Sequence, residues 1–171
     1  MPYDLSRLAL LIVEAEEPLR TTWRSLLAGF GIRSVRFAAS GREAWTVLTS
    51  GTAGDSPKPD ILVCRDSLPN GEAGLDLVAR LRSDAASPNP FLPVVIVMAS
   101  VTRGKVRRTL EAGVHEILAL PLSAKALEGR LRGIVEKPRK FVRGGGYFGP
   151  DRRRLVRPDY AGPFRRGSDR G

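Results

Sequence analysis

The chain has almost none of the residues on which disulfide scaffolds and metal centres depend. Among its 171 residues there is one cysteine, Cys64, and one histidine, His115. A single thiol excludes a disulfide framework within the chain and makes a cytoplasmic location the expectation. His115 has no second histidine, cysteine or aspartate at ligand spacing, so no metal or catalytic role is indicated for it. Cys64 lies inside an apolar run and reads as an inert core residue. Long hydrophobic runs are missing too. The run from Leu8 to Val13 gives way to acids and is too short for a signal-peptide core or a membrane span. Acid is scarce, with 18 Asp and Glu against 28 Lys and Arg, a net charge of +10. The shortage is local: residues 1–136 hold 17 basic and 15 acidic side chains, residues 137–171 hold 11 and 3. The body is nearly neutral and the C-terminal segment is a polycation.

What is present suits a globular body with an appendage. A hydrophobic share of 42% and a charged share of 27% are ordinary for a folded domain, and this length buries a core without cross-links. Leu8–Val13 is a continuous apolar run of strand length, the pattern of a strand covered on both faces. Glu16, Glu17 and Pro18 then open a helix in which Leu19, Trp23, Leu26, Leu27 and Phe30 recur at helical spacing, with Gly29 and Gly31 as stops. Val35–Ala38 is a second strand. Ser40 with Glu43 forms a capping box for a helix over 41–50. Further strands fall at Ile61–Cys64, Pro93–Ala99 and Ile117–Leu120, each followed by a helix: 75–82, 102–112 and 123–137. Five alternations of doubly apolar strand and helix predict an α/β fold, a doubly wound five-stranded parallel sheet.

From Pro138 the composition turns to Gly, Pro and Arg without apolar period, which predicts a largely disordered tail over 138–171 behind a folded unit over 1–137. Gly144–Gly146 is not followed by a helix or a Lys-Ser/Thr pair, so it is read as a flexible joint and not a phosphate loop. The tail nevertheless contains a repeat. Tyr147-Phe-Gly-Pro-Asp-Arg-Arg and Tyr160-Ala-Gly-Pro-Phe-Arg-Arg share the pattern Tyr-x-Gly-Pro-x-Arg-Arg. Arg152, Arg153, Arg154, Arg157, Arg165 and Arg166 thus alternate with Tyr147, Phe148, Tyr160 and Phe164. Guanidinium groups bind phosphate bidentately and aromatic rings stack on bases, so the tail is a candidate site for a nucleotide, a nucleic acid or another anionic partner.

In a sheet of this class ligands meet the carboxyl ends of the strands. Those ends carry Glu14 and Ala15, Arg65 and Asp66, Met98, and Leu120 before Pro121. Together with LLIVEAEEPLR, PDILVCRDSLP, LPVVIVMAS and EAGVHEILALPLS, the chain over about residues 7–137 resembles the response-regulator receiver domain of two-component signalling, the CheY-like family. The resemblance implies a flavodoxin-like strand order 2-1-3-4-5. It also implies a site where two acids after the first strand hold Mg²⁺ and an aspartate ending the third accepts a phosphoryl group. A Thr or Ser after the fourth strand and a Lys after the fifth then bind the phosphate. Here the acid pair is Glu14 and Ala15, the hydroxyl position is Met98 and the lysine position is Leu120. Counting from Pro59-Asp60 or back from Pro69, the acceptor is Arg65; counting back from Gly74, it is Asp66. Arg65 either pairs with Glu14 or Glu16, standing where the metal would, or extends into solvent. With so few stabilising groups, neither phosphotransfer nor Mg²⁺ binding is expected, and no cofactor. The resemblance further implies that the face of the fourth helix, fifth strand and fifth helix meets a protein partner, with Arg103, Lys105, Arg107 and Arg108 making the helix basic. Some receiver-like proteins grip cyclic di-GMP with arginine-rich C-terminal extensions, and this tail looks broadly similar. The resulting expectation is a non-enzymatic, phosphorylation-independent signalling adaptor. The alternatives are a cyclic di-GMP or nucleic-acid effector and a working receiver that uses Asp66.

Overall fold

The computed structural model describes residues 2–50, 57–68 and 71–152. After a short 3-10 turn at Leu5–Arg7 the body alternates β1 (Ala9–Val13), α1 (Glu17–Gly29), β2 (Ser34–Ala38), α2 (Gly41–Thr49), β3 (Ile61–Arg65), α3 (Gly74–Ser83), β4 (Val94–Met98), α4 (Arg103–Glu111), β5 (Glu116–Ala119) and α5 (Ala124–Glu136). The strands form one parallel sheet in the order β2-β1-β3-β4-β5. The central strands are apolar throughout because both faces are covered. Leu11, Val13, Leu62, Cys64, Val94, Ile96 and Met98 point to one core with Trp45 of α2 and Leu77, Val78 and Leu81 of α3. Their neighbours Leu10, Ile12, Ile61, Val63, Val95 and Val97 point to the other, with Trp23 and Leu27 of α1 and Leu127 and Leu131 of α5. This is the period-two rule applied to both faces at once.

Local signals set the helix starts. Pro18 lies in the first turn of α1, where no N–H is needed. The Ser40 hydroxyl accepts from the Glu43 N–H at 3.1 Å, while the Glu43 carboxylate reaches back to the Ala39 N–H at 2.7 Å. Thr102 and Ser123 cap α4 and α5 through the N–H groups of Lys105 and Ala126.

The chain after α5 departs from the expectation of disorder. Phe141–Gly144 (β6) and Tyr147–Pro150 (β7) pair as an antiparallel hairpin. Gly145 and Gly146 form its two-residue turn at φ 57° and 77°, so they are a tight turn and not a loose joint. Composition hid the hairpin because its few apolar side chains pack on the body instead of on each other alone. Phe141 and Phe148 meet each other and Phe91 at ring distances of 5.1 to 5.4 Å, and Phe141 also meets His115 at 5.4 Å. Arg82, buried at the end of α3, holds this corner. Its guanidinium donates to the carbonyls of Gly113, Pro90 and Leu92 at 2.8 to 3.2 Å and stacks over Phe141 at 5.2 Å. Burial pulls its pKa down to about 10, still charged at neutral pH. His115, buried beside it, is pushed down to about 3 by desolvation and then by Arg82 and Arg139, and its Nδ1 accepts the Val94 N–H. It is a neutral packing residue.

The first copy of the repeat acquires a structural reason. The Tyr147 hydroxyl donates to the Pro150 carbonyl at 2.8 Å, and Arg152 lies over the Tyr147 ring at 4.4 Å. A Cβ on Gly149 would stand 2.6 Å from both Gly113 Cα and the Tyr147 hydroxyl. Each residue kept in the pattern up to Arg152 therefore makes a contact within the motif or with the body. The second copy, with Tyr160, Arg165 and Arg166, and the residues Arg153, Arg154 and Arg157 lie outside the described residues.

Gly149→Ala should therefore push the hairpin off Gly113. We expect a loss of about 1–3 kcal/mol, the range for forced overpacking, with faster amide exchange confined to 141–150 and to Arg82's carbonyl partners. Unchanged exchange there would mean that the hairpin is not docked.

Candidate functional site

Loop geometry brings three strand ends together. Each of β1, β3 and β4 finishes at the same edge of the sheet, and Glu14, Arg65 and Met98 stand at those ends. Glu14 follows the last residue of β1 and donates its N–H to the Ala38 carbonyl, which fixes the start of the β1–α1 turn. Its carboxylate is only 2% exposed. One oxygen accepts the Glu16 N–H at 3.0 Å and the other accepts from Arg65 Nη1 at 3.3 Å. The same Nη1 lies 3.5 Å from the carboxylate of Glu16, at the rim. Arg20, from α1, donates its Nε–H to the Glu14 carbonyl at 2.6 Å. Arg65 therefore does not extend into solvent. Its side chain is 15% exposed and stands between two acids. The fit is incomplete, because its buried Nε finds no hydrogen-bond partner among the described residues. Ala15 brings no second carboxylate beside Glu14.

Asp66, one residue on, turns elsewhere. Its N–H continues the ladder to Val97 and its carbonyl accepts from Gly74. Its carboxylate, 12% exposed, pairs with Lys105 Nζ at 3.1 Å. Gly74 is required here: a Cβ would stand 1.9 Å from the Arg65 carbonyl. This contact ties the start of α3 to the end of β3. Met98 is buried in the core with Leu62 and Cys64 and offers no donor to the site. Leu120 packs against the opposite core. Cys64 is buried, and desolvation pushes its thiol up to about 12, so it is no nucleophile.

A divalent cation needs several oxygen ligands at one point. Among the described residues no three His, Cys, Asp or Glu side chains come together for one. Both oxygens of Glu14 are engaged, one of them by a fixed cation. The arrangement does not fit Mg²⁺. It is a set of internal ion pairs, Glu14–Arg65–Glu16 and Asp66–Lys105, where the family chemistry would need a metal and an open carboxylate. Sequence reading missed Lys105 in this role. From sequence it reads as one of the basic residues of α4, and only the fold shows that the first turn of α4 lies over the end of β3.

On the neighbouring edge, β5 is uncovered on one side. A groove of about 640 Å³ lies beside it, lined by the apolar Val101, Val106, Leu110, Ile117 and Ala119 and by Arg130, Arg139 and Arg152. Glu116 sits beneath those cations, paired with Arg130 at 3.0 Å and with Arg139. Arg103, Lys105, Arg107 and Arg108 do not line the groove. Lys105 serves Asp66, and Arg107 pairs with Glu111 along the exposed flank of α4. Of the tail residues, Tyr147 and Arg152 are the two that the structure describes; burial raises the Tyr147 hydroxyl pKa.

Arg65→Ala should leave Glu14 buried with one N–H for company, at a cost of about 3 kcal/mol in urea denaturation. Replacing both partners with leucine should recover most of that loss, because a dry pair then replaces a desolvated one. An Arg65→Ala protein as stable as the wild type would show that Glu14 does not depend on Arg65 for its place in the fold.

The comparisons with known proteins agree with this architecture. The family described as "Response regulator receiver domain" matches residues 10–132. The chain is 28% identical over 128 residues to chemotaxis protein CheY1 of Helicobacter pylori, covering 74% of this chain and 95% of that protein. It is 29% identical over 127 residues to the KDP operon transcriptional regulatory protein KdpE of Escherichia coli, of which it spans about half the length (51%). Among solved structures, a response regulator from Chloroflexus aurantiacus superposes with a TM-score of 0.64 at 29% identity, covering 75% of this chain and 98% of that one. Vibrio cholerae CheY4 does so at 0.63 and 20% identity, with the same coverage, a likeness of fold alone. Sheet order, site position and family match converge: this chain belongs to the response-regulator receiver family of two-component signalling.

Proposed function

We propose that this receiver works without a phosphorylation switch, as a non-enzymatic adaptor in the cytoplasm that signals through protein–protein contact. The observation that carries the proposal is the Glu14–Arg65 pair. A receiver is switched by adding negative charge to an acceptor held near a metal. Here the positive charge is built in, the acceptor position is read as Arg65, and neither Met98 nor Leu120 can hold an incoming phosphate. The receiver unit, 1–137, is read as presenting the β5 groove between α4 and α5 to its partner. Its apolar lining supplies buried area and its arginines supply orientation. The extension over 138–171 is read as engaging an anionic partner, with +8 of the net charge lying over 137–171. No helix among the described residues is long and apolar enough to cross a membrane.

A second reading makes Asp66 the phosphoacceptor, and one contact favours it. Lys105 Nζ lies 3.1 Å from the Asp66 carboxylate and would offset charge on a phosphoryl group there. The two readings separate cleanly by intact mass after incubation with acetyl phosphate and Mg²⁺. The adaptor reading expects no phosphoryl adduct on the full chain. An adduct that disappears in Asp66→Ala would overturn it and establish the second.

A further inference from the structure

The hairpin lies beyond the family match and builds a surface that the receiver body alone lacks. Phe91, from the loop before β4, is 54% exposed although it is a large apolar ring. It stands edge-on to Phe141 and Phe148, and those two rings tilt against each other, so three rings form one continuous aromatic wall. Val142 beside it is 40% exposed. The wall is edged by cations. The Arg143 guanidinium lies over the Phe148 ring at 4.5 Å and has no carboxylate partner among the described residues. Over residues 137–152 the cations are Lys137, Arg139, Lys140, Arg143 and Arg152, and the one acid is Asp151. An apolar patch on its own would suit many partners. Exposed rings interleaved with arginines, on a strongly cationic part of the described fold, select a partner with flat faces and a regular negative charge.

We propose that Phe91, Phe141, Phe148 and Arg143 form a stacking platform for single-stranded nucleic acid. A base would stack on the open face of Phe91, and the flanking phosphates would meet Arg143 and the neighbouring Lys140. A duplex keeps its base faces stacked away and offers phosphates alone, so the platform favours single strands. The inference deepens the anionic-partner part of the proposed function and is independent of the acceptor site and of the β5 groove. It also gives the docked hairpin a purpose: β6 and β7 supply two of the rings, α3 through Arg82 holds Phe141 from below, and the glycine contact between Gly113 and Gly149 keeps the wall in register.

The test is fluorescence anisotropy of the full chain with a labelled oligouridylate of about 12 nucleotides, with a duplex of equal length and poly-glutamate as competitors. Binding to the single strand should weaken with salt. Phe91→Ala should weaken it about fivefold or more, and Phe91→Trp should restore it, as stacking on an aromatic face requires. Arg143→Ala should lower the slope of log affinity against log salt by about 0.7. Phe91 is mostly exposed, and matching melting curves for its variants exclude misfolding. Wild-type affinity in Phe91→Ala would overturn the platform and assign any binding to the arginines of 153–171. No binding by the wild type, or poly-glutamate competing as well as the single strand, would overturn it too. None of these outcomes bears on the phosphodonor experiment, so the adaptor reading stands or falls separately.

Discussion

The Glu14–Arg65 ion pair is the constraint around which the functional edge of this protein is arranged. A carboxylate 2% exposed is untenable without a partner, and the residue that supplies one comes from the end of a neighbouring strand. That choice has consequences in every direction. It ties β1 to β3 at the edge where the sheet is open and holds the β1–α1 turn through the Glu16 N–H. Asp66, the next residue, points the other way by strand alternation and meets Lys105 of α4. At this edge Glu14 and Asp66 each face a cation of the chain itself, Arg65 and Lys105. Such pairs add little net stability, but they fix a geometry, because losing either partner strands the other.

The opposite edge of the sheet has its own buried cation. Among the described residues Arg82 has no carboxylate partner, and it spends its donors on three backbone carbonyls, from the loop before β4 and the turn before β5. Charge-assisted bonds to carbonyls suit a group that must hold loops together while staying out of water. The β6–β7 hairpin is laid over this knot, with Phe141 above the guanidinium and Gly149 against Gly113. The two ends of the sheet thus differ: one carries an internal ion-pair network, the other an added aromatic and cationic surface. The uncovered side of β5 leaves a groove lined in part by Arg139 and Arg152, which flank the hairpin on either side in sequence. The extension therefore contributes to the receiver surface as well as adding to it.

Much of this was legible in the sequence for a physical reason: strands covered on both faces are apolar at every position, and caps and glycines mark where helices begin and stop. Leu8–Val13, Ser40 with Glu43, and Thr102 announced their elements directly. The sequence placed Arg65 near Glu14 at the strand ends but left open whether it pairs with Glu14 or Glu16 or extends into solvent; the structure shows the pair. Three features could not be anticipated. Lys105 reaches Asp66 across a fold that brings α4 over β3, a contact between residues far apart in sequence. Arg82 looks like any surface arginine of a helix until its loops are seen around it. The hairpin was hidden by composition, since a two-stranded piece with a body to lean on needs no apolar period of its own. The adjacent Gly145 and Gly146 before Tyr147 were the one signal of a tight turn.

The central claim, that the charge at the strand ends is internal and needs no metal, is tested most directly by titrating Mg²⁺ into the full chain. The readout is the backbone amides of Glu14, Arg65 and Asp66 and the Arg65 Nε–H, observed by NMR. The account predicts no saturable shift at any of these groups up to millimolar Mg²⁺ beyond that caused by matched sodium chloride. A saturable shift centred on Glu14, accompanied by a shift of the Arg65 Nε–H as the guanidinium leaves the Glu14 carboxylate, would contradict it.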